Sequence, residues 1–279
     1  MKSTFTEKYL NGTGLQFSIE EQLFSGESEF QKIEVFKTEK LGNLMLLDGV
    51  VMLTEANEHS YHEMIAHVPL FTHPAPERVL VIGGGDGGTA REVMKHPSVK
   101  ECVMCEIDGM VVETAKNYFP DLAVAFDHPK MNLVIDDGIK YIQKNKNSFD
   151  VIIVDSTDPE GPAEGLFKAP FYRDVHEALR DGGIMTAQAE SPYEMPAEQK
   201  AMFAEIRKVF PLVKMYLSFI PFYPTGMWSF AFAFKGGTVL GLPRTGDIRA
   251  MQKNLKYFND EIMKSCFALP NFVAENIAE

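Results

Sequence analysis

The sequence predicts an α/β fold: a doubly wound, mostly parallel sheet preceded by a small antiparallel β unit. Three observations carry that expectation. From residue 78 onward, short and nearly continuous apolar strands alternate with helical stretches, the pattern of a parallel sheet covered on both faces. One of those strands runs straight into a glycine-rich turn and then a helix. Before residue 58 the texture differs, with period-2 alternation punctuated by turn dipeptides.

The elements follow in order. Between Leu15 and about Glu58, Ile33 and Val35 alternate with Lys32, Glu34 and Lys37, the sign of a half-buried strand. Gly42-Asn43 and Asp48-Gly49 are hairpin-type turns. An apolar-rich helix is expected over His62–Leu70, ending before Pro74 and Pro76. Strands are then expected at 78–82, 101–106, 132–135, 150–154 and 183–187, with helices at 89–95 and 110–118. Two late strands, 213–219 and 228–234, are placed to close one edge. The expected division is an N-terminal β domain over 1–58 and a larger domain over 59–279.

Composition narrows the function. The chain has 279 residues, 45% apolar and 24% charged, ordinary values for a globular protein. No apolar run approaches the roughly 18 residues of a membrane span. The N-terminus shows no apolar signal-peptide region, and three cysteines make no disulfide framework, so a cytoplasmic location is expected. Net charge is −12, from 27 Lys plus Arg and 39 Asp plus Glu. An acidic surface disfavours nucleic acid and anionic membrane as partners.

The strand at 79–82 leads into Gly83-Gly-Gly-Asp-Gly-Gly88. Gly83, Gly85 and Gly88 satisfy G-x-G-x-x-G between a strand and a helix, and Glu106 follows about 20 residues on, where a carboxylate grips ribose hydroxyls. That context points to a nucleoside; the alternative is a glycine turn needed only for close helix packing. Asp86 inside the loop opposes a pyrophosphate and favours a cation. Later strand ends carry Glu106 and Asp108, Asp136 and Asp137, Asp155 and Asp158, with no obvious Lys or Arg to hold phosphate. A positively charged nucleoside of the sulfonium type fits this pattern better than NAD or ATP. The alternative is that acids at strand ends merely cap helices, as Asp108 is suited to do.

These segments resemble the spermidine synthases, the polyamine aminopropyltransferases. The resemblance is carried by Leu47-Asp-Gly-Val-Val51, Tyr61-His-Glu-Met64, His67-Val-Pro-Leu-Phe-Thr-His73, the glycine loop, Glu106-Ile-Asp108 and Ile135-Asp-Asp-Gly138. It continues through Asp155-Ser-Thr-Asp-Pro159 with Gly161-Pro162, Ile220-Pro-Phe-Tyr-Pro224 and Phe267-Ala-Leu-Pro270, nearly the whole chain. It implies a Rossmann-like, methyltransferase-type domain with a small N-terminal β domain, assembled as a homodimer or homotetramer. It implies transfer of an aminopropyl group from decarboxylated S-adenosylmethionine to putrescine, giving spermidine and methylthioadenosine. No cofactor or metal is implied, since the sulfonium is a co-substrate.

The resemblance also implies roles. Gln31 would contact the nucleoside, Asp86 the aminopropyl ammonium, and Glu106 the ribose. Asp137 and Gly138 would address the adenine, with Pro162 bordering it. Asp155 would accept the proton, and Tyr61, His62, Asp158 and Tyr223 would line the diamine channel. An alkyl ammonium has a pKa near about 10.4 and a model Asp near about 3.9, so Asp155 suits the task only if burial or nearby acids raise it. Asp155 with Tyr61 and Tyr223 is therefore expected to orient the amine and relay its proton.

Other features earn a structural reading. Cys102 and Cys105 lie along one predicted strand with no second pair. His67 and His73 are expected to pack or cap a helix, and Trp228 either packs in the core or lines the channel. Glu160 stands where relatives tend to carry an apolar residue; facing the channel, it would favour a longer or more basic amine. Competing functions are a methyltransferase acting on putrescine, an NAD-linked oxidoreductase and a non-catalytic polyamine sensor. The sequence leaves the acceptor open among putrescine, cadaverine, spermidine and agmatine.

Overall fold

The computed structural model describes residues 3–9, 11–158 and 161–278, without the side chains of 161 and 162. Glu160 therefore lies outside the described residues, as does the side chain of Pro162.

Five antiparallel strands come first: β1 (Ser3–Lys8), β2 (Gly14–Glu27), β3 (Lys32–Thr38), β4 (Asn43–Leu47) and β5 (Val50–Thr54), paired in chain order. Asp48 and Gly49 join β4 to β5 with φ of 50° and 81°. Two positive φ values make the tight turn whose twist matches the strands, which is why this dipeptide reads as a hairpin. β1 precedes Leu15, where the sequence pattern first marks strands. Phe5 is the lone apolar residue in its six, too little periodicity to register.

Helix α1 (His59–Thr72) crosses to the second sheet. It outruns the expected 62–70 because it is buried on every side, so no amphipathic stripe marks its ends. The seven-stranded sheet holds β6 (Arg78–Gly83), β7 (Glu101–Glu106), β8 (Met131–Ile135), β9 (Phe149–Asp155), β10 (Leu179–Gln188), β11 (Leu212–Phe219) and β12 (Met227–Phe234). Between them lie α2 (Gly88–Met94), α3 (Gly109–Tyr118), α4 (Pro120–Ala123), α5 (Gly138–Gln143), α6 (Ala169–Ala178) and α7 (Pro196–Arg207). Three further helices, α8 (Thr245–Met251), α9 (Asp260–Ser265) and α10 (Asn271–Asn276), follow the last strand.

Strand order is β11-β12-β10-β9-β6-β7-β8. The pairs from β10 to β8 are parallel, and β12 runs antiparallel between β10 and β11. The two late strands therefore form one edge, as expected. The chain winds from β6 outward to β8, then returns to β9 on the other side of β6. The reversal at β6/β9 is the switch point of a doubly wound sheet, where the carboxyl ends of the strands open a crevice.

Apolar residues fill both faces of this sheet. Cys102 and Cys105, three apart on β7, fall in the cores of opposite faces, so their thiols cannot meet. The N-terminal sheet joins the core that holds Cys102 through Phe17, Ile19, Leu44 and Leu46, and packs Ile33, Val35 and Met45 against Val111 of α3, Leu122 of α4 and Phe119 between them. No helix among the described residues is long and apolar enough to cross a membrane.

Candidate active site at the switch point

A cavity of about 460 Å³ opens at the carboxyl ends of β6, β7 and β9, roofed by the N-terminal sheet. The sheet contributes Gln31, Met45, Leu47 and Met52; the larger domain contributes the glycine loop and the strand-end acids. Six acids line it, Asp48, Asp86, Glu106, Asp137, Asp155 and Asp158, and among the described lining residues there is no Lys or Arg. The volume suits a nucleoside-sized ligand, and the lining suits a cation.

The glycine loop is built by close approach. Gly83 ends β6 opposite Asp155 with φ of 80°, where a Cβ would strike the Asp155 carbonyl. Gly84 N–H donates to that same carbonyl at 2.9 Å. A Cβ on Gly88 would overlap the imidazole of His62. The loop thus brings β9, α1 and α2 within contact of one point.

At that point stand two carboxylates. Asp155 Oδ1 accepts from the Tyr61 hydroxyl at 2.5 Å, and Oδ2 accepts from Thr89 Oγ1 at 2.6 Å. Burial raises the Asp155 pKa above the usual carboxylate range, and the charge of Asp86 adds to it; His62, Thr89 and Tyr61 pull the other way. Asp86 Oδ1 accepts the Gly88 N–H at 2.6 Å and lies 3.3 Å from His62 Nε2. Tyr61 also meets Tyr223 edge-on, with ring centroids 5.7 Å apart.

Tyr223, through its hydroxyl, donates to the Met52 carbonyl of β5 at 2.9 Å. It lines the cavity as a strut to the N-terminal sheet and through its ring. Trp228 packs in the core against Tyr223, with centroids 4.5 Å apart, and is not one of the cavity walls.

The nucleoside end is arranged by capping. Glu106 Oε1 accepts the Asp108 N–H at 2.9 Å, and burial lifts the Glu106 pKa to about 7. Asp108 caps α3 through the Met110 N–H and also accepts from Ser28 and Gln31, the latter at 2.9 Å. That bond locks Gln31 onto the cavity wall. Asp137 caps α5 through Ile139 N–H at 2.9 Å, so capping and cavity lining coincide in one side chain. Gly138 begins that helix at the cavity.

Several participants escaped the sequence reading. Thr89 is one. Behind Asp158 lie two more, Glu190 at the end of β10 and Glu7 on β1. Glu190 Oε1 accepts from Gln188 Nε2 at 2.8 Å, and the residue holds a φ of 65°, a strained conformation for a residue with a side chain. Burial, then Asp158, raises its pKa well above normal. Burial likewise lifts Glu7 to about 7, with Asp158 adding to it. Glu7 Oε2 and Glu190 Oε2 are both buried with no hydrogen-bond partner. No signal short of the fold places residues 7 and 190 beside residue 158. His67 and His73 behave as expected: His67 packs against Glu92 and His96, and His73 accepts the Ala75 N–H just past α1.

Fold and site define a class: a Rossmann-like, methyltransferase-type domain with an acidic, nucleoside-sized pocket at its switch point. The Spermine/spermidine synthase domain profile matches residues 58–239, and the Spermidine synthase tetramerisation domain profile matches residues 4–55. The chain is 45% identical to the polyamine aminopropyltransferase of Thermotoga petrophila, over 96% of this chain and 90% of that one. It is 44% identical to that of Bacillus cytotoxicus, over 99% and 100%. A crystal structure of spermidine synthase in complex with the transition-state analogue AdoDATO superposes with a TM-score of 0.95 at 44% identity, covering 99% of this chain and 94% of that one. The spermidine synthase of Thermotoga maritima gives 0.93 at 43% with the same coverage. The chain belongs to the spermine/spermidine synthase family.

Proposed function

We propose that this protein transfers the aminopropyl group of decarboxylated S-adenosylmethionine to putrescine, releasing spermidine and methylthioadenosine. The observation that carries it is the pair Asp86 and Asp155 at one point of a pocket with no Lys or Arg among its described lining residues. A pyrophosphate cofactor would be repelled there, and the carboxylate of intact S-adenosylmethionine would meet like charge. Two cationic substrates would be welcome.

By this reading Gln31, Glu106, Asp137, Gly138 and Pro162 hold the nucleoside, and Asp86 the aminopropyl ammonium. Tyr61, His62, Asp155, Asp158 and Tyr223 hold the acceptor. The neutral amine nitrogen attacks the methylene next to sulfur. The new C–N bond forms as the C–S bond breaks, and its electron pair neutralises the sulfonium. The ammonium so formed gives a proton to Asp155. Tyr61 and Thr89 fix that carboxyl, and its raised pKa brings it nearer the amine it serves. The far ammonium of the diamine fits the acids at Asp158, where Glu7 Oε2 and Glu190 Oε2 are buried without a hydrogen-bond partner. Alignment supplies much of the acceleration, because the leaving group is already activated.

The test is a mass-spectrometric turnover assay with decarboxylated or intact S-adenosylmethionine against putrescine, cadaverine, spermidine and agmatine. Methylthioadenosine plus spermidine, only from the decarboxylated donor, is expected. Methylated amine from the intact donor would overturn the reading. A homo-oligomer is proposed as well, in line with the tetramerisation profile, and light scattering on the purified chain tests it. Three free, buried cysteines support a reducing, cytoplasmic location, which fractionation would check.

A further inference from the structure

A row of alternating charge starts at the pocket and runs away from it between α1 and α2. His62 Nε2 lies 3.3 Å from Asp86 Oδ1, and His62 Nδ1 lies 2.6 Å from Glu58 Oε2. Arg91 Nη2 donates to both Glu58 oxygens, at 3.0 and 2.8 Å. Arg91 Nε then donates to Glu92 Oε1 at 2.8 Å, and Glu92 is closed by Lys95 and His67. The side chains of His62 and Glu58 are only 3% and 4% exposed. Glu58 and Arg91 are not among the residues that line the pocket.

The protonation state follows from geometry. A carboxylate oxygen faces each ring nitrogen of His62. A neutral imidazole has one bare lone pair, which would then point at an anion. Donation from both nitrogens satisfies both contacts, and that form is the imidazolium. A buried cation persists only beside held, ionised partners. Glu58 is such a partner because Arg91 grips both its oxygens.

We propose that Glu58 and Arg91 are positioning residues that hold His62 as a doubly donating cation, which pins Asp86 Oδ1 and leaves Asp86 Oδ2 for a substrate ammonium. The ammonium rests on the aminopropyl-transfer reading; the charge row does not. The row also explains how two carboxylates share one dry corner. His62 offsets Asp86, so Asp155 can respond to the proton of the attacking amine.

The groups facing His62 are Glu58 at the N-cap of its own helix, Asp86 from the glycine loop, Asp155 at the end of β9 and the edge-on ring of Tyr61, with Arg91 of α2 behind Glu58. Burial lowers the His62 pKa, but the charge of Asp86 and the hydrogen bonds from Asp86 and Glu58 raise it to about 10. Burial raises Glu58, but His62 and Arg91 outweigh it and hold Glu58 at about 2.

Glu58→Gln tests the proposal. The amide oxygen still accepts from Nδ1, so the geometry survives while the charge goes. His62 then loses its proton within the assay range. It is a cation below its pKa, so the variant should approach wild-type kcat/KM for the amine at low pH and lose ground as pH rises. The variant to wild-type ratio should fall about tenfold per pH unit above that ionisation. Glu58→Asp should restore the wild-type profile. A merely structural role would lower the ratio equally at every pH and overturn the proposal. Nitrogen-15 NMR of the imidazole needs no turnover: wild-type His62 should stay doubly protonated through pH 9, and loss of a proton below pH 8 would overturn the proposal. If NMR shows the cation while no donor is turned over, the aminopropyl reading falls and the charge row stands. Should Glu58→Gln not fold, Arg91→Gln keeps Glu58 and should shift the His62 titration the same way by less; an unshifted titration counts against the proposal.

Discussion

The acids around the glycine loop and those around Asp158 are built on different terms. Around the glycine loop every carboxylate meets a donor of the protein's own. Asp155 sits between Tyr61 and Thr89, Asp86 between the Gly88 N–H and His62, and Glu106 under the Asp108 N–H. Around Asp158 the acids are half satisfied: Glu190 Oε1 accepts from Gln188 at 2.8 Å and Glu7 Oε1 from the Val51 N–H at 3.5 Å, but Glu190 Oε2 and Glu7 Oε2 are buried without a partner. The first group is organised before any ligand arrives, as groups at a reacting centre must be. The second is left under-satisfied, and on the proposed reading an incoming cation would complete it. By that reading, one group serves the chemistry and the other receives the far end of the amine.

The largest expected effect breaks the organised end. Asp155→Asn keeps the shape and removes the proton acceptor. Turnover should fall by about 10²–10⁴, the usual worth of a positioned acid or base. Donor binding, read by calorimetry, should hold. Near-normal turnover would move the proton acceptor elsewhere and dissolve the distinction between the two ends.

A second, smaller effect sharpens the same end. Glu106 is lifted to about 7 by burial in the unliganded protein. Ribose hydroxyls donate best to the ionised carboxylate, so binding should drive off a proton. Affinity for methylthioadenosine should therefore rise with pH and level off above 7. Between pH 6 and pH 8 the ionised fraction rises about tenfold, and the affinity with it. A pH-independent affinity would mean that Glu106 is ionised before the nucleoside binds.

Much of this was legible in the chain and some was not, for physical reasons. Strands buried on both faces are apolar without interruption, so β6, β7 and β9 could be placed within a residue or two. The strand-end acids followed, because the fold class fixes where carboxyl ends open. Glu58 and His62, four apart on one helix, carried a readable pairing signal, but the arginine that completes it comes from α2. Thr89 looked like an ordinary helix residue until β9 brought Asp155 to it. Nothing in the sequence shows that β5 offers the Tyr223 hydroxyl a carbonyl. Glu7 sits in a strand too polar to announce itself, and its meaning depends on a residue about 150 positions away.

The smallest expected effects test the under-satisfied end. Glu7 binds its proton more tightly folded than unfolded, since burial lifts its pKa from 4.5 to about 7. The sign follows: between about pH 4.5 and 7 the native state holds the extra proton, so stability contributed here falls as pH rises. Glu190, raised by burial and by Asp158, acts in the same direction. Glu7→Gln and Glu190→Gln should each flatten that decline in thermal melts of the free protein and leave the acid side unchanged. Each should also raise KM for the diamine several-fold while moving kcat little, because the far ammonium lies away from the bond being made; a loss of about 1 kcal/mol in binding is about a fivefold change. Putrescine should favour the ionised carboxyls and raise the wild-type melting temperature more at pH 7.5 than at pH 5. If both variants instead lost kcat in proportion, the far acids would belong to the reacting centre, and the division between the two ends would have to be redrawn.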